Sequence, residues 1–229
     1  MDNKELLDLY SDYLISSFGQ TTGTGMSQLL GGRISHDRIQ RFLSRQDFTP
    51  ADLWQLVKPQ VCAIQQAEGV IIVDDSIAEK PSTDENDLVC WHYDHAQDRQ
   101  VKGINFLSAL YHAQAVSLPV GFRVVAKTEY YTDKKAGKTK RRSPMSKNEH
   151  YPALLRQAKQ NQIPFGLVLN DVWYASAENM MFVKHELQAD FVMPLKANRK
   201  VALSPEDKQQ GRYVRVDSLT LEAGVVRVV

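Results

Sequence analysis

Two short aliphatic runs, each ending on aspartate, constrain this chain more than any other feature. Gly69-Val70-Ile71-Ile72-Val73 runs into Asp74-Asp75-Ser76, and Gly166-Leu167-Val168-Leu169 runs into Asn170-Asp171-Val172-Trp173-Tyr174. Apolar runs this short, bounded by turn residues, read as strands buried on both faces. An unpaired buried carboxylate is costly, so Asp74 and Asp75 side by side demand open water or a cation. If the two strands are adjacent and parallel, Asp74 and Asp171 reach the same sheet edge, where open α/β sheets place their ligands. Two carboxylates converging there suit Mg²⁺ through oxygen ligands. Either aspartate alone reads equally as a turn former or helix cap. Only the pair points to a site.

The remainder of the chain supplies elements around those strands. Leu6, Leu7, Tyr10, Tyr13, Leu14 and Phe18 recur at helical spacing, and five glycines between Gly19 and Gly32 then break the pattern. Ser35 is placed to cap a helix carrying Ile39, Phe42 and Leu43, and Thr49-Pro50 opens another, with Asp52 placed to return a capping bond. Three short helices ahead of an α/β core suit a DNA-binding module or a plain packing subdomain. After the strand at 70–74 and a polar linker, extended runs at Ile104–Ala113 and Val120–Lys127 are expected to pair antiparallel about Ser117-Leu118-Pro119. A helix follows near Asn148–Asn161, with Tyr151, Leu154, Leu155 and Ala158 inward. Ser176 caps a further helix, and Phe191-Val192-Met193 forms a strand. Tyr213–Val216 and Val225–Val229 are β-like.

The chain of 229 residues is 43% hydrophobic and 24% charged, a globular balance with enough apolar residues for a sizeable core. Its net charge of +1 argues against indiscriminate nucleic-acid binding. Charge is nevertheless concentrated locally. Lys134, Lys135, Lys138, Lys140, Arg141, Arg142 and Lys147 fall in one stretch without an acid, which is either a phosphate-contacting patch or a solvated loop. No apolar run is long enough to span a membrane, the start carries no signal-peptide pattern, and two cysteines suit a reducing compartment, so a cytoplasmic location is expected.

Other chemistries are poorly supported. Cys90, His92 and His95 fall close together, but a structural zinc needs four ligands and Cys62 is isolated. His185-Glu186 lacks the second His of a zincin helix, no Gly-x-Ser-x-Gly elbow occurs, and no Gly-Lys-Ser/Thr follows the glycines.

The segments Ile71-Ile72-Val73-Asp74-Asp75-Ser76, Leu167–Ser176 and Ala189–Lys200 together resemble the catalytic domain of bacterial insertion-sequence transposases of the DDE type. The resemblance covers roughly residues 35–200. It implies an α/β fold, a ribonuclease H-like mixed sheet flanked by helices, with a helical region at 1–66, the catalytic core at 67–200 and the start of a β-rich insertion at 201–229. It assigns Asp74 and Asp171 as catalytic metal ligands for Mg²⁺ or Mn²⁺, with Asp75 beside them in an outer or turn-capping role. Lys196, Arg199 and Lys200 match a basic segment that lies along DNA in relatives, and Lys138, Lys140, Arg141 and Arg142 join them as nucleic-acid contacts. The partner implied is double-stranded DNA, at transposon ends and target. Homo-oligomer formation is compatible with it, and no membrane is involved.

The family's third carboxylate, a Glu within Tyr-x2-Arg-x3-Glu-x6-Lys, has no counterpart here. Glu178, Glu186 and Glu222 lack that setting. Phosphodiester hydrolysis or transfer calls for two metals about 3.5 to 4 Å apart, bridged and flanked by carboxylates. The chain is therefore expected to be an incomplete, inactive form of a DNA transposase that retains some affinity for DNA. The alternative is a noncatalytic DNA-binding or regulatory protein derived from a transposase N-terminal part.

Overall fold

The aliphatic run beginning at Val70 enters the sheet only because the residue before it lacks a side chain. In the computed structural model, which describes residues 1–45, 47–134 and 137–220, a Cβ on Gly69 would lie 2.3 Å from the Tyr111 hydroxyl. That hydroxyl donates to the Gln66 carbonyl at 3.2 Å and accepts from the Gln66 N–H at 3.0 Å. The chain is thus tied to the sheet as it leaves its preceding helix.

Two compact units divide the chain, Met1–Thr49 and the residues from Pro50 onward. The first holds α1 (Asn3–Ser16), α2 (Gly23–Leu29) and α3 (His36–Arg45), packed around Leu6, Tyr13, Met26, Ile34, Ile39 and Phe42. Helix α2 lies inside the glycine-rich segment that was expected to interrupt helical structure. Thr22 accounts for it: its hydroxyl accepts from the Gly25 N–H at 2.9 Å. A cap satisfies the orphan donors of the first turn and outweighs weak glycine propensity. Leu14 and Phe18, which recur at the same spacing as Leu6 and Tyr13, are exposed.

The second unit begins with α4 (Pro50–Ile64), followed by β1 (Val70–Glu79), β2 (Val89–Asp94), β3 (Arg99–Ala113) and β4 (Val116–Val124). Helix α4, counted above with the N-terminal helical region, places Trp54, Val57 and Val61 in the main core with the sheet. Strand β1 pairs antiparallel with β3 along its whole length, from Val70 opposite His112 to Glu79 opposite Gly103. Strands β2 and β4 pair with successive halves of the other edge of β3. The β3–β4 reversal is at Gln114 and Ala115, with φ of 49° and 62°, rather than at Ser117–Pro119. Two successive positive-φ residues suit a tight hairpin. Gln-Ala lacks the usual chemistry of that turn, so it carried no sequence signal. Pro119 instead lies within β4 beside a register irregularity at Ala109/Leu110, the kind of position a sheet allows proline.

Within the basic stretch Lys138–Arg142 form β6, paired in a hairpin with β5 (Glu129–Asp133), while Lys135 lies outside the described residues. Then come α5 (Lys147–Gln160), β7 (Leu167–Asn170), α6 (Ala177–Met181) continued by a π-helical turn over Phe182–Glu186, and β8 (Asp190–Val192). Ser146 and Glu149 form a capping box on α5. The four residues expected inward, Tyr151, Leu154, Leu155 and Ala158, are buried. Strands β1, β7 and β8 run parallel, completing a six-stranded mixed sheet. Three antiparallel members on one side of β1 and two parallel members on the other make this ribonuclease H-like α/β architecture.

Beyond it, β9 (Lys200–Val201) and β10 (Val214–Arg215) form a short ribbon around α7 (Pro205–Gln209). Residues 225–229, read above as a strand, fall outside the described residues.

Candidate active site

Parallel pairing between β1 and β7 ends at Val73 opposite Asn170, so the next residue on each strand is an aspartate. Neighbouring strands lie about 4.8 Å apart. Asp74 and Asp171 are therefore side by side at the C-terminal edge, as expected for parallel neighbours. Val73 and Asn170 are buried, and alternation turns the next residue of each strand toward the opposite face. Burial pushes the Asp171 carboxyl above the ordinary aspartate range, and the charges of Asp74 and Asp75 push the same way. The Trp173 N–H, donating to Asp171 Oδ1 at 2.8 Å, and Lys147 oppose that shift. Asp74 Oδ1 accepts from the Asp75 N–H at 2.8 Å.

Asp75 is held differently. Alternation places it on the face of Ile71 and Val73, and its side chain is only 17% exposed. Lys147, at the start of α5, forms an ion pair with its Oδ2. The Tyr174 hydroxyl donates to Oδ1 at 2.9 Å, and Asn105 Nδ2 reaches Oδ2 at 3.4 Å. Tyr174 stacks on Tyr151 with ring centroids 5.2 Å apart. The Tyr151 hydroxyl donates to Asn170 Oδ1 at 2.8 Å, while Asn170 Nδ2 donates to the Asp171 carbonyl at 2.8 Å. Burial raises both phenols well above the usual tyrosine range, so they remain neutral donors. A polar network thus ties the middle of β1 to the end of β7. Sequence reasoning missed Tyr151, Asn170 and Asn105, and counted Lys147 only as one more cation in the basic run.

The three aspartates line a cleft of about 550 Å³ with Lys147, Asn148, Tyr174, Trp173, Tyr93 and His95 among its walls. Asp74 and Asp171 offer hard oxygen donors of the kind Mg²⁺ and Mn²⁺ take. Among the described residues, no three His, Cys, Asp or Glu side chains are grouped so as to hold a metal ion. The pair fits a divalent ion as part of its donor set. Neither Glu178 nor Glu186 lines the cleft; Glu186 pairs with Arg156 at 2.9 Å. Glu222 lies outside the described residues.

The basic residues do not form one free patch. Arg141 pairs with Asp87 and with Glu85, at 3.5 Å for the latter, and lies over the Tyr130 ring at 4.7 Å. Arg142 pairs with Glu129 at 2.9 Å, and Lys140 with Asp133 at 2.5 Å. Lys138 is exposed on β6. Lys196 lies over the Trp173 ring at 4.4 Å, beside the cleft. Arg199 directly precedes β9 and Lys200 opens it, and the Arg199 carbonyl accepts from the Val216 N–H at 2.8 Å. Cys90 and His92 share a face of β2 with Sγ and Nε2 3.8 Å apart, but His95 lies past the strand end and packs on Tyr93 and Trp173. These three do not converge.

A mixed α/β sheet that brings two carboxylates together where the β1–β7 pairing ends has the oxygen donors that metal-assisted phosphodiester chemistry uses. Residues 2–218 match the family of DDE superfamily endonucleases, and the chain belongs to that family. It is also similar to two solved structures, a Mos1 transposase paired-end complex with the left transposon end and a pre-cleavage Mos1 transpososome. Each shows 10% identity, a TM-score of 0.23 and coverage of 83% of this chain. The chain spans 58% of the length of either transposase chain. No curated protein matches it. Among the described residues, no helix is long and apolar enough to cross a membrane.

Proposed function

We propose that the chain is the catalytic region of a DDE-type DNA transposase, acting in metal-dependent cleavage and strand transfer at insertion-sequence ends. The observation that carries this reading is the juxtaposition of Asp74 and Asp171 beyond the last β1–β7 pair. Asp74 and Asp171 would hold Mg²⁺ or Mn²⁺, which when bound activates the attacking oxygen and stabilises the leaving one. Asp75, braced by Lys147 and Tyr174, keeps the middle of β1 in place.

Double-stranded DNA is the partner, in a cytoplasmic setting. Lys138, Arg142, Lys196, Arg199 and Lys200 supply phosphate contacts. Exposed ion pairs such as Arg142–Glu129 are weak enough for phosphates to displace the acid. In the first unit, α3 presents Arg38, Arg41 and Arg45 on its exposed side, which suits DNA as well. Among the described residues no third acid joins Asp74 and Asp171, and a second reading is a noncatalytic DNA-binding or regulatory protein derived from a transposase N-terminal part. Incubating the purified chain with Mn²⁺ and duplex DNA separates the two. Nicking abolished by Asp171→Asn establishes the enzyme, whereas DNA binding without nicking leaves the noncatalytic reading.

A further inference from the structure

Beside the carboxylates the cleft wall is aromatic and open to solvent. Trp173 is 46% and Tyr93 43% exposed, although their neighbours Tyr174 and His92 are buried. His95 bridges them, its ring centroid 4.8 Å from that of Tyr93 and 4.8 Å from that of Trp173. Hydrogen bonds brace the array. The Tyr93 hydroxyl donates to Asp98, and Asp94 Oδ1 accepts from the N–H groups of Ala96 at 2.9 Å and Gln97 at 3.2 Å, fixing the turn that carries His95. On the other side, the main-chain N–H of Trp173 donates to Asp171 itself at 2.8 Å, which fixes the backbone from which the indole projects.

We propose that Tyr93, His95 and Trp173 form a stacking shelf for an unpaired nucleobase of the DNA strand held at Asp74 and Asp171. The inference rests on the function proposed above and names a subsite within it. Inside a duplex each base has both faces covered by its neighbours, so an aromatic shelf gains contact only with a base that has left the stack. Phosphate-binding cations alone would not call for exposed rings at this edge. Lys196, lying over Trp173 at 4.4 Å, is a long side chain that can yield the ring face to a base and turn to the adjoining phosphate. Stacking is tolerant of base identity, so the shelf selects for an unpaired nucleotide rather than for a sequence.

The test measures DNA binding in EDTA, so that it does not depend on metal or turnover. Three probes share one duplex: blunt, with a two-nucleotide unpaired 3′ extension, and with the same extension made abasic. The wild-type chain is expected to bind the extended duplex about ten-fold more tightly than the other two. Trp173→Ala should abolish that preference, and Trp173→Phe should keep most of it. A 2-aminopurine in the extension should be quenched by wild type and not by Trp173→Ala. Equal affinity for all three probes, or a preference that survives Trp173→Ala, overturns the shelf alone. Absence of binding to any of the probes overturns the proposed function and the shelf with it.

Discussion

Lys147, the first residue of α5, forms an ion pair with Asp75, seventy-two positions earlier on β1, at the wall of the aspartate cleft. It joins the capped end of a helix to the core-facing side of the central strand. Asp75→Ala leaves both the ammonium and the Tyr174 hydroxyl without this acceptor. Losing hydrogen bonds at a largely buried carboxylate costs about 1 to 3 kcal/mol. Urea denaturation should show a lower midpoint for Asp75→Ala, with a smaller drop for Asp75→Asn, which still offers Tyr174 a carbonyl. Equal midpoints for all three proteins would remove Asp75 as a brace.

Asp74→Asn and Asp171→Asn should each abolish stabilisation by divalent metal. At a hundred times its dissociation constant, a ligand specific for the folded state adds about 2.7 kcal/mol. Wild type should therefore gain thermal stability in Mn²⁺, and neither variant should. Without metal, Asp171→Asn is expected to match or exceed wild-type stability, because burial and the charges of Asp74 and Asp75 all disfavour the ionised Asp171. A metal response retained by Asp171→Asn would place the ion elsewhere.

The hairpin cations should separate into two kinds. Arg142 is 63% exposed at its side chain, whereas Arg141 is 19% exposed and held by two acids and a tyrosine ring. Arg142→Ala and Lys138→Ala should each lower the salt slope of DNA binding by about one while weakening all sequences alike. Arg141→Ala should act mainly on stability. Binding titrations between low and moderate salt, set beside urea curves, distinguish these outcomes.

His92 makes stability sensitive to acid. Burial first, then Lys127 and Lys147, lower its imidazole from 6.5 to about 4. A folded-state value below the unfolded one means that the unfolded chain takes up protons first. The stabilisation is thus fully present above pH 6.5 and disappears as pH falls toward about 4. Its size is on the order of 3 kcal/mol. His92→Gln should flatten this part of the stability–pH curve, and an unaltered curve would assign the acid sensitivity to other groups.

Some of this architecture is legible because it depends on neighbours in sequence. Parallel strands buried on both faces must be aliphatic, which makes Val70–Val73 and Leu167–Leu169 conspicuous, and the aspartate following each marks an edge. Ser35 and Ser176 act as helix caps through contacts three residues away. The extension of β1 through polar residues to Glu79 was not legible, since the long partner β3 imposes it by main-chain pairing regardless of side chains. Nor was the pairing of the basic segment with Glu85 and Asp87, or the path from Asp75 through Tyr174 and Tyr151 to Asn170. By itself the sequence determined the aliphatic starts of β1 and β7 and the aspartate that follows each, because periodicity and capping are local. Only the tertiary structure decided which charge meets which, because such contacts join residues far apart along the chain, and their geometry exists only once the sheet has formed.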